Sequence, residues 1–250
     1  MTRYKILLEY DGRNTVGWQI QGTRGNPNAP SIQGLVQDAI FAFCGERVDV
    51  LGAGRTDAGV HAIAMPAHFD LEKDADTDTI RDAVNFHLRS ANAPVSVLSA
   101  EIVSDDFHAR FDCKMRHYRY IILNRRAPAI LDDGRVWWIP RPLNIDAIRD
   151  AAQKFIGNHD WTSFRSSECQ GKSPIKTLDK INISTKDNKI IIDVSAQSFL
   201  HHQVRNIVGT LAEIGLGKPY DIDEIFAAKN RSVAGPTAPP DGLYFVNAEY

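Results

Sequence analysis

A chain of 250 residues that is 43% hydrophobic can bury a core as one large domain or two small ones, and it holds no run of about 18 apolar residues from which a membrane span could be built. Its net charge of -2 runs against the basic balance of a typical nucleic-acid-binding domain. The three cysteines (Cys44, Cys113 and Cys169) are widely spaced with no C-x-x-C pair, which excludes a disulfide framework and zinc-site spacing and sets a reducing cytoplasm as the expected location.

The opening MTRYKILLEY passes directly into a strand pattern instead of a secretory leader, with Tyr4, Ile6, Leu8 and Tyr10 on one face. A polar loop, Gln21 to Pro30, precedes Ser31, which caps a helix whose stripe is Ile32, Leu35, Val36, Ala39, Ile40 and Phe43. A second helix carries Ile80, Ala83, Val84 and Leu88. Strands follow over Val95 to Val103 and His117 to Leu123. Pro140–Pro142 marks a boundary, because proline removes a backbone donor and restricts its predecessor. Beyond it Asn144 caps a helix with Ile145, Ile148, Ala152 and Phe155 inward, which Gly157 can end. Lys180 to Ser184 and Lys189 to Phe199 form a hairpin around Lys186–Asp187–Asn188. Helices over His201 to Ile214 and Asp221 to Ala228 and a last strand, Gly242 to Tyr250, complete the chain. The pattern is α+β: residues 1–140 and 141–250 form two similar subdomains, each a mostly antiparallel sheet with helices on one face.

The segment Ala53 to Ala62, AGRTDAGVHA, concentrates the chemistry. Two glycines and three alanines in ten residues leave little bulk around Arg55, Thr56, Asp57 and His61. Glycine permits sharp turns and close approach of a substrate. A carboxylate there, two residues from an arginine, can stay ionised as nucleophile or base. A structural turn closed by an Asx hydrogen bond fits the same residues. A phosphate cradle fits less well, since neither the Walker spacing nor G-x-G-x-x-G is present.

AGRTDAGVHA resembles the signature loop of the TruA family of tRNA pseudouridine synthases, whose essential aspartate aligns with Asp57. The similarity extends over LEYDG with Trp18, DDFHARF (Asp105 to Phe111), RHYRY (Arg116 to Tyr120) and WTSFR (Trp161 to Arg165). It continues through FLHHQVRNIVG (Phe199 to Gly209) and TAPPDGLYFV (Thr237 to Val246). The resemblance implies conversion of uridine to pseudouridine at positions 38, 39 and 40 of the tRNA anticodon stem-loop, without cofactor or metal, by a homodimer. It implies two sheets meeting at a central RNA-binding cleft, with residues 1–140 carrying the Asp57 loop and 141–250 completing the site. Tyr118 aligns with the tyrosine that stacks on uracil, and Arg205 with the arginine that pairs with the aspartate. Arg55, Arg110 and Leu243 fall at substrate-binding positions, and Tyr120 is expected in the core.

Charge is distributed unevenly. Asp70 to Asp82 carries six acidic residues against Lys73 and Arg81, and is assigned no role. Arg110 to Arg126 carries Arg110, Lys114, Arg116, Arg119, Arg125 and Arg126 against Asp112, a candidate surface for the phosphate backbone. His61, His108, His201 and His202 lack the H-x-x-x-H pair with a third ligand that zinc would need. Two other classes compete. A non-catalytic RNA-binding module explains the tyrosines but not an Asp–Arg pair. A carboxylate hydrolase acting on nucleosides or sugars calls for two carboxylates, where this loop offers only Asp57.

Overall fold

The structure is a computed structural model that describes residues 1–21 and 30–250, so nearly all of the Gln21–Pro30 loop lies outside the described residues. In chain order the elements begin with β1 (Thr2–Tyr10), α1 (Ile32–Cys44), β2 (Leu51–Gly52), β3 (His61–Leu71), α2 (Thr77–Ser90) and β4 (Val95–Ile102). They continue with β5 (Met115–Asn124), β6 (Trp137–Ile139), α3 (Ile145–Gln153), β7 (Gly157–Asp160) and β8 (Ile175–Leu178). The chain closes with β9 (Lys180–Lys186), β10 (Lys189–Ala196), α4 (Gln203–Gly215), α5 (Ile222–Ala228) and β11 (Leu243–Glu249). Two compact units result: Met1–Lys114 with Tyr244–Tyr250, and Met115–Leu243. The 140/141 boundary expected from the prolines falls inside the second unit, between β6 and α3. Pairing explains the difference. All of β5 from Arg116 to Leu123 is laddered to β10, so the strand groups with the later half despite preceding the prolines.

In the first unit the sheet order is β4-β1-β3-β11, with β2 folded back on β3. β1 lies between two antiparallel neighbours, from Thr2↔Leu71 to Tyr10↔Ala62 on one side and from Tyr4↔Ile102 to Tyr10↔Val95 on the other. Tyr4, Ile6, Leu8 and Tyr10 are buried, as the alternation predicts. β3 has no counterpart in the sequence reading. It is buried on both faces over most of its length, so no alternation marks it, and it contains Pro66, a residue that normally argues against an inner strand. Ser31 Oγ accepts from Gly34 N at 3.1 Å and starts α1 as expected. Asp76 caps α2, and Asp70 pairs with Arg3 at 2.7 Å, so part of the acidic stretch has local structural work. α1 and α2 pack on each other and on β4.

The second unit is built on β5, β9 and β10. β5 pairs antiparallel with β10, β10 with β9, and β6 runs parallel beside β5. The β9–β10 hairpin turns at Asp187–Asn188, with Asp187 at φ 55°. α3, capped by Asn144, packs on α4 and β9, and ends at Gln153 well before Gly157, which instead opens β7 at φ 114°. Trp161, Phe155, Phe164 and Phe226 gather with ring centroids 5.0 to 6.0 Å apart. Ser163 Oγ donates to Ile225 O at 2.6 Å and accepts from Asn230 N. The WTSF run is therefore core and a tie between helices.

Candidate active site

Residues 53–60 connect β2 to β3, and in the first unit they are restrained by β3, by the end of β1 and by the chain that follows β1. Ala53 N donates to Pro66 O at 2.8 Å, which starts the loop against β3. Trp18 N donates to Thr56 O at 3.0 Å, and Val60 N closes a turn onto Asp57 O at 3.2 Å, with Gly59 at φ 82°. Thr56 points inward, and its hydroxyl lies 2.8 Å from the Tyr10 hydroxyl. Arg55 on one side of it is exposed, and Asp57 on the other is half-buried.

Glycines allow this close approach. Gly17 sits at φ 89°, and a Cβ there would fall 2.3 Å from Thr56 O and 2.7 Å from Asp57 C. A Cβ on Gly12 would fall 2.1 Å from Val60 O, and one on Gly52 would strike the Trp18 ring at 2.6 Å. Gly12 N also donates to His61 Nδ1 at 3.1 Å, and the His61 ring stacks on Tyr244 with centroids 4.8 Å apart. The loop is thus fixed on both sides of Asp57 mainly by backbone. Tyr10, Gly12, Gly17 and Trp18 are parts of this arrangement that the sequence did not single out by role, although LEYDG and Trp18 stood among the matched segments.

Arg110 lies elsewhere in the first unit, on the segment after β4. His108 Nδ1 accepts from Arg110 N at 3.1 Å and Phe111 N at 3.2 Å, and Asp112 Oδ2 accepts from His108 N at 2.6 Å. Ala109 N donates to His68 Nδ1 at 3.2 Å, and Tyr250 Oη donates to Ala109 O at 2.7 Å. Arg110 and Phe111 are both exposed on this tied segment. His68 is held neutral: burial first, then the nearby His108 and Arg3, lowers its pKa to about 4.

Tyr118 and Arg205 belong to the second unit. Tyr118 is buried on β5 opposite Val194, edge-on to Phe199 with centroids 5.1 Å apart. Tyr120 is fully buried, as expected, and its hydroxyl donates to Pro239 O at 2.7 Å. Burial pushes its pKa well above the ordinary phenol value. Arg205 lies in the first turn of α4. Its Nε donates to Ala238 O at 2.8 Å while its own carbonyl accepts from Ala238 N at 3.1 Å. The helix is buried nearly all round: from Gln203 to Ala212 every residue except Arg205 is buried. Asn206 explains how polar groups can line it. Asn206 Nδ2 donates to Phe164 O at 2.8 Å, and Oδ1 accepts from Thr237 Oγ1 at 2.7 Å and Arg231 Nη2 at 3.0 Å. Thr210 Oγ1 accepts from Gly235 N at 3.0 Å. A Cβ on Gly209 would lie 1.7 Å from Pro236 O, so residues 231–238 run directly against α4. Leu243, buried at the start of β11, closes the second unit.

The basic run is divided between paired and exposed side chains. Arg119 is paired with Asp193 at 2.7 Å, and buried Arg116 donates to Gln197 O. Arg110, Lys114, Arg125 and Arg126 remain exposed, with Arg125 turned onto Ala127 O and Pro128 O. The stretch is therefore not one continuous basic face.

A family model described as tRNA pseudouridine synthase matches residues 6–112 and 151–250. Proteins named tRNA pseudouridine synthase A align with this chain over its full length and theirs. That of Rhodopseudomonas palustris (strain BisA53) is 52% identical over 252 residues, and that of Rhodospirillum centenum 52%. That of Parvibaculum lavamentivorans is 49% identical, again with both chains fully covered. This chain belongs to the tRNA pseudouridine synthase family. It is accordingly an isomerase acting on uridine in RNA, and the α+β architecture agrees with the fold expected of that family. The synthase model's matched segments contain Asp57, Arg55, Arg110, Arg205 and Leu243. Tyr118 falls between them, inside the full-length alignments with the relatives.

Proposed function

We propose that this synthase converts uridine to pseudouridine at positions 38, 39 and 40 of the tRNA anticodon stem-loop, with Asp57 as its catalytic carboxylate. The observation that carries the reading is the half-buried Asp57 on a loop whose backbone is clamped at Thr56 and Val60 by glycines. A reaction centre gains most from a group held in place before substrate arrives.

The reaction breaks the bond from ribose C1′ to uracil N1, turns the base, and joins C1′ to C5. The proton on C5 leaves and N1 gains one, so no atom is gained or lost overall and no redox partner or cofactor is called for. Extruding the base from the stem-loop comes first and costs a few kcal/mol of unstacking. Tyr118 offsets part of this by stacking on the uracil. Asp57 acts at the sugar, as nucleophile at C1′ or as base. Arg205 is its ion-pair partner and keeps it charged. Arg55, Arg110 and Leu243 contact the substrate. The enzyme works as a homodimer in the cytoplasm.

Incubation of the purified protein with an unmodified anticodon stem-loop, followed by mass-spectrometric mapping, tests the activity. Pseudouridine at positions 38 to 40 is the expected result. RNA binding without isomerisation would replace the enzyme reading with that of a binding module.

A further inference from the structure

We propose that the buried hydroxyl pair Tyr10–Thr56 is a positioning device for Asp57, acting on the rate of the chemical step and not on RNA binding. The inference rests on Asp57 being the catalytic carboxylate.

Tyr10 is the last residue of β1, the strand laddered on both sides, so its ring is among the best anchored in the first unit. The ring is buried and tilted against Trp18 with centroids 6.4 Å apart. Its hydroxyl meets Thr56 Oγ1 at 2.8 Å in a buried setting. Thr56 is the residue whose carbonyl begins the peptide bond to Asp57. That carbonyl accepts from Trp18 N at 3.0 Å, and Gly17 presses on it. Side chain and carbonyl of Thr56 are therefore held by two different parts of the chain, β1 and the segment after it. Fixing both sets the Thr56 side-chain rotamer and the plane of the peptide entering Asp57. A carboxylate with only two side-chain torsions inherits its aim from that plane.

Packing alone does not call for the hydroxyls. A phenylalanine and a valine would fill the same volume and bury as much apolar surface, so the hydroxyls add direction more than core. A misplacement on the order of 1 Å at a reacting group can cost as much as a hundredfold in rate. No change in RNA affinity is needed for that loss, because Thr56 and Tyr10 are buried away from solvent.

The test is steady-state kinetics on the anticodon stem-loop well below each variant's melting temperature. Tyr10→Phe and Thr56→Val are each expected to lower kcat by about tenfold or more with KM within about twofold, while Thr56→Ser, which keeps the hydroxyl, stays within about threefold of the parent. The double variant should be no worse than the poorer single one, since both remove the same bond. A kcat within twofold of the parent for Tyr10→Phe and Thr56→Val, a loss carried by KM alone, or a Thr56→Ser as poor as Thr56→Val would overturn the proposal. Asp57→Asn is assayed alongside. An active Asp57→Asn brings down the underlying reading of the carboxylate, whereas an inactive one beside a fully active Tyr10→Phe removes only the positioning role.

Discussion

The loop carrying Asp57 and the helix carrying Arg205 are both rigid, but different forces hold them. Around Asp57 the restraint is backbone against backbone. Gly12 and Gly17 bring main chain to within a distance that no Cβ tolerates, and the bonds at Thr56 O and Asp57 O are peptide to peptide. Around Arg205 the restraint is a side-chain network. Asn206, Thr210, Thr237 and Arg231 satisfy each other and the segment 231–238 where α4 is buried nearly all round. A region of the first kind is sensitive to added atoms and a region of the second kind to removed ones. Damage should also read out differently. Shifting the loop moves one carboxylate, whereas cutting the network leaves buried polar groups unpaired and weakens the fold.

Among changes that leave Asp57 itself in place, the largest effect is expected from Gly17→Ala, which adds a Cβ 2.3 Å from Thr56 O at a residue with φ 89°. Turnover should fall at least about a hundredfold, roughly 2.7 kcal/mol of barrier. Gly45→Ala is the matched control, since Gly45 has φ 79° and nothing within 4 Å of the added atom. It should cost only the strain of the left-handed backbone, about 1 kcal/mol of stability, and leave turnover unchanged. If the two behave alike in the assay, crowding against Asp57 is not what matters.

Asn206→Ala comes next and should act on stability. It leaves Phe164 O, Thr237 Oγ1 and Arg231 short of a buried partner. A loss of about 2–4 kcal/mol in denaturant unfolding is expected. An Asn206→Ala protein as stable as the parent would end the distinction between the two regions.

The smallest effect concerns pH in the first unit, away from both regions. His68 accepts from Ala109 N through Nδ1, so protonating that nitrogen costs the bond that ties the Arg110 segment to β3. His108, Arg3 and Asp70 are the charged or titratable neighbours, and burial is the main cause of the depressed pKa of about 4 against an ordinary 6.5. Above pH 6.5 the ring is neutral folded or unfolded and stability is flat. As pH falls from about 6.5 to about 4 the unfolded chain takes up a proton that the folded one refuses, so stability declines across that window. Replacing His68 with Gln should remove this component from urea midpoints measured between pH 7 and pH 4. An unchanged pH slope in that variant would show that His68 does not titrate as described.

Much of the fold was legible because local signals agreed with tertiary structure. The alternation Tyr4 to Tyr10, the caps Ser31 and Asn144, and the hairpin turn at Asp187 all appear where patterning puts them. β3 escaped because it is buried on both faces and contains Pro66, so a period-2 signal never forms. The grouping of β5 with the second unit escaped because it depends on pairing with β10, more than sixty residues later in the chain. At the candidate site, Asp57 was visible through the glycines and alanines packed around it in sequence. The clamp from Tyr10, Gly12, Gly17 and Trp18 was not, since a lone glycine before a loop carries no mark of what it will touch. Arg205 stood out only through the resemblance, since a lone arginine on a helix carries no mark of its own. Its neighbours Asn206 and Thr210 are buried all the same, because partners at 231–237 satisfy them.

The central claim is that Asp57 performs the chemistry on a loop already shaped for it, and Asp57→Asn is the most direct test. The substitution nearly preserves volume on a half-buried side chain, so the protein should melt like the parent and bind the anticodon stem-loop with similar affinity. Single-turnover incubation with excess enzyme, mapped by mass spectrometry, should then show no pseudouridine at any position. Turnover within about tenfold of the parent, roughly 1.4 kcal/mol of barrier, would contradict the account and take the catalytic role from Asp57.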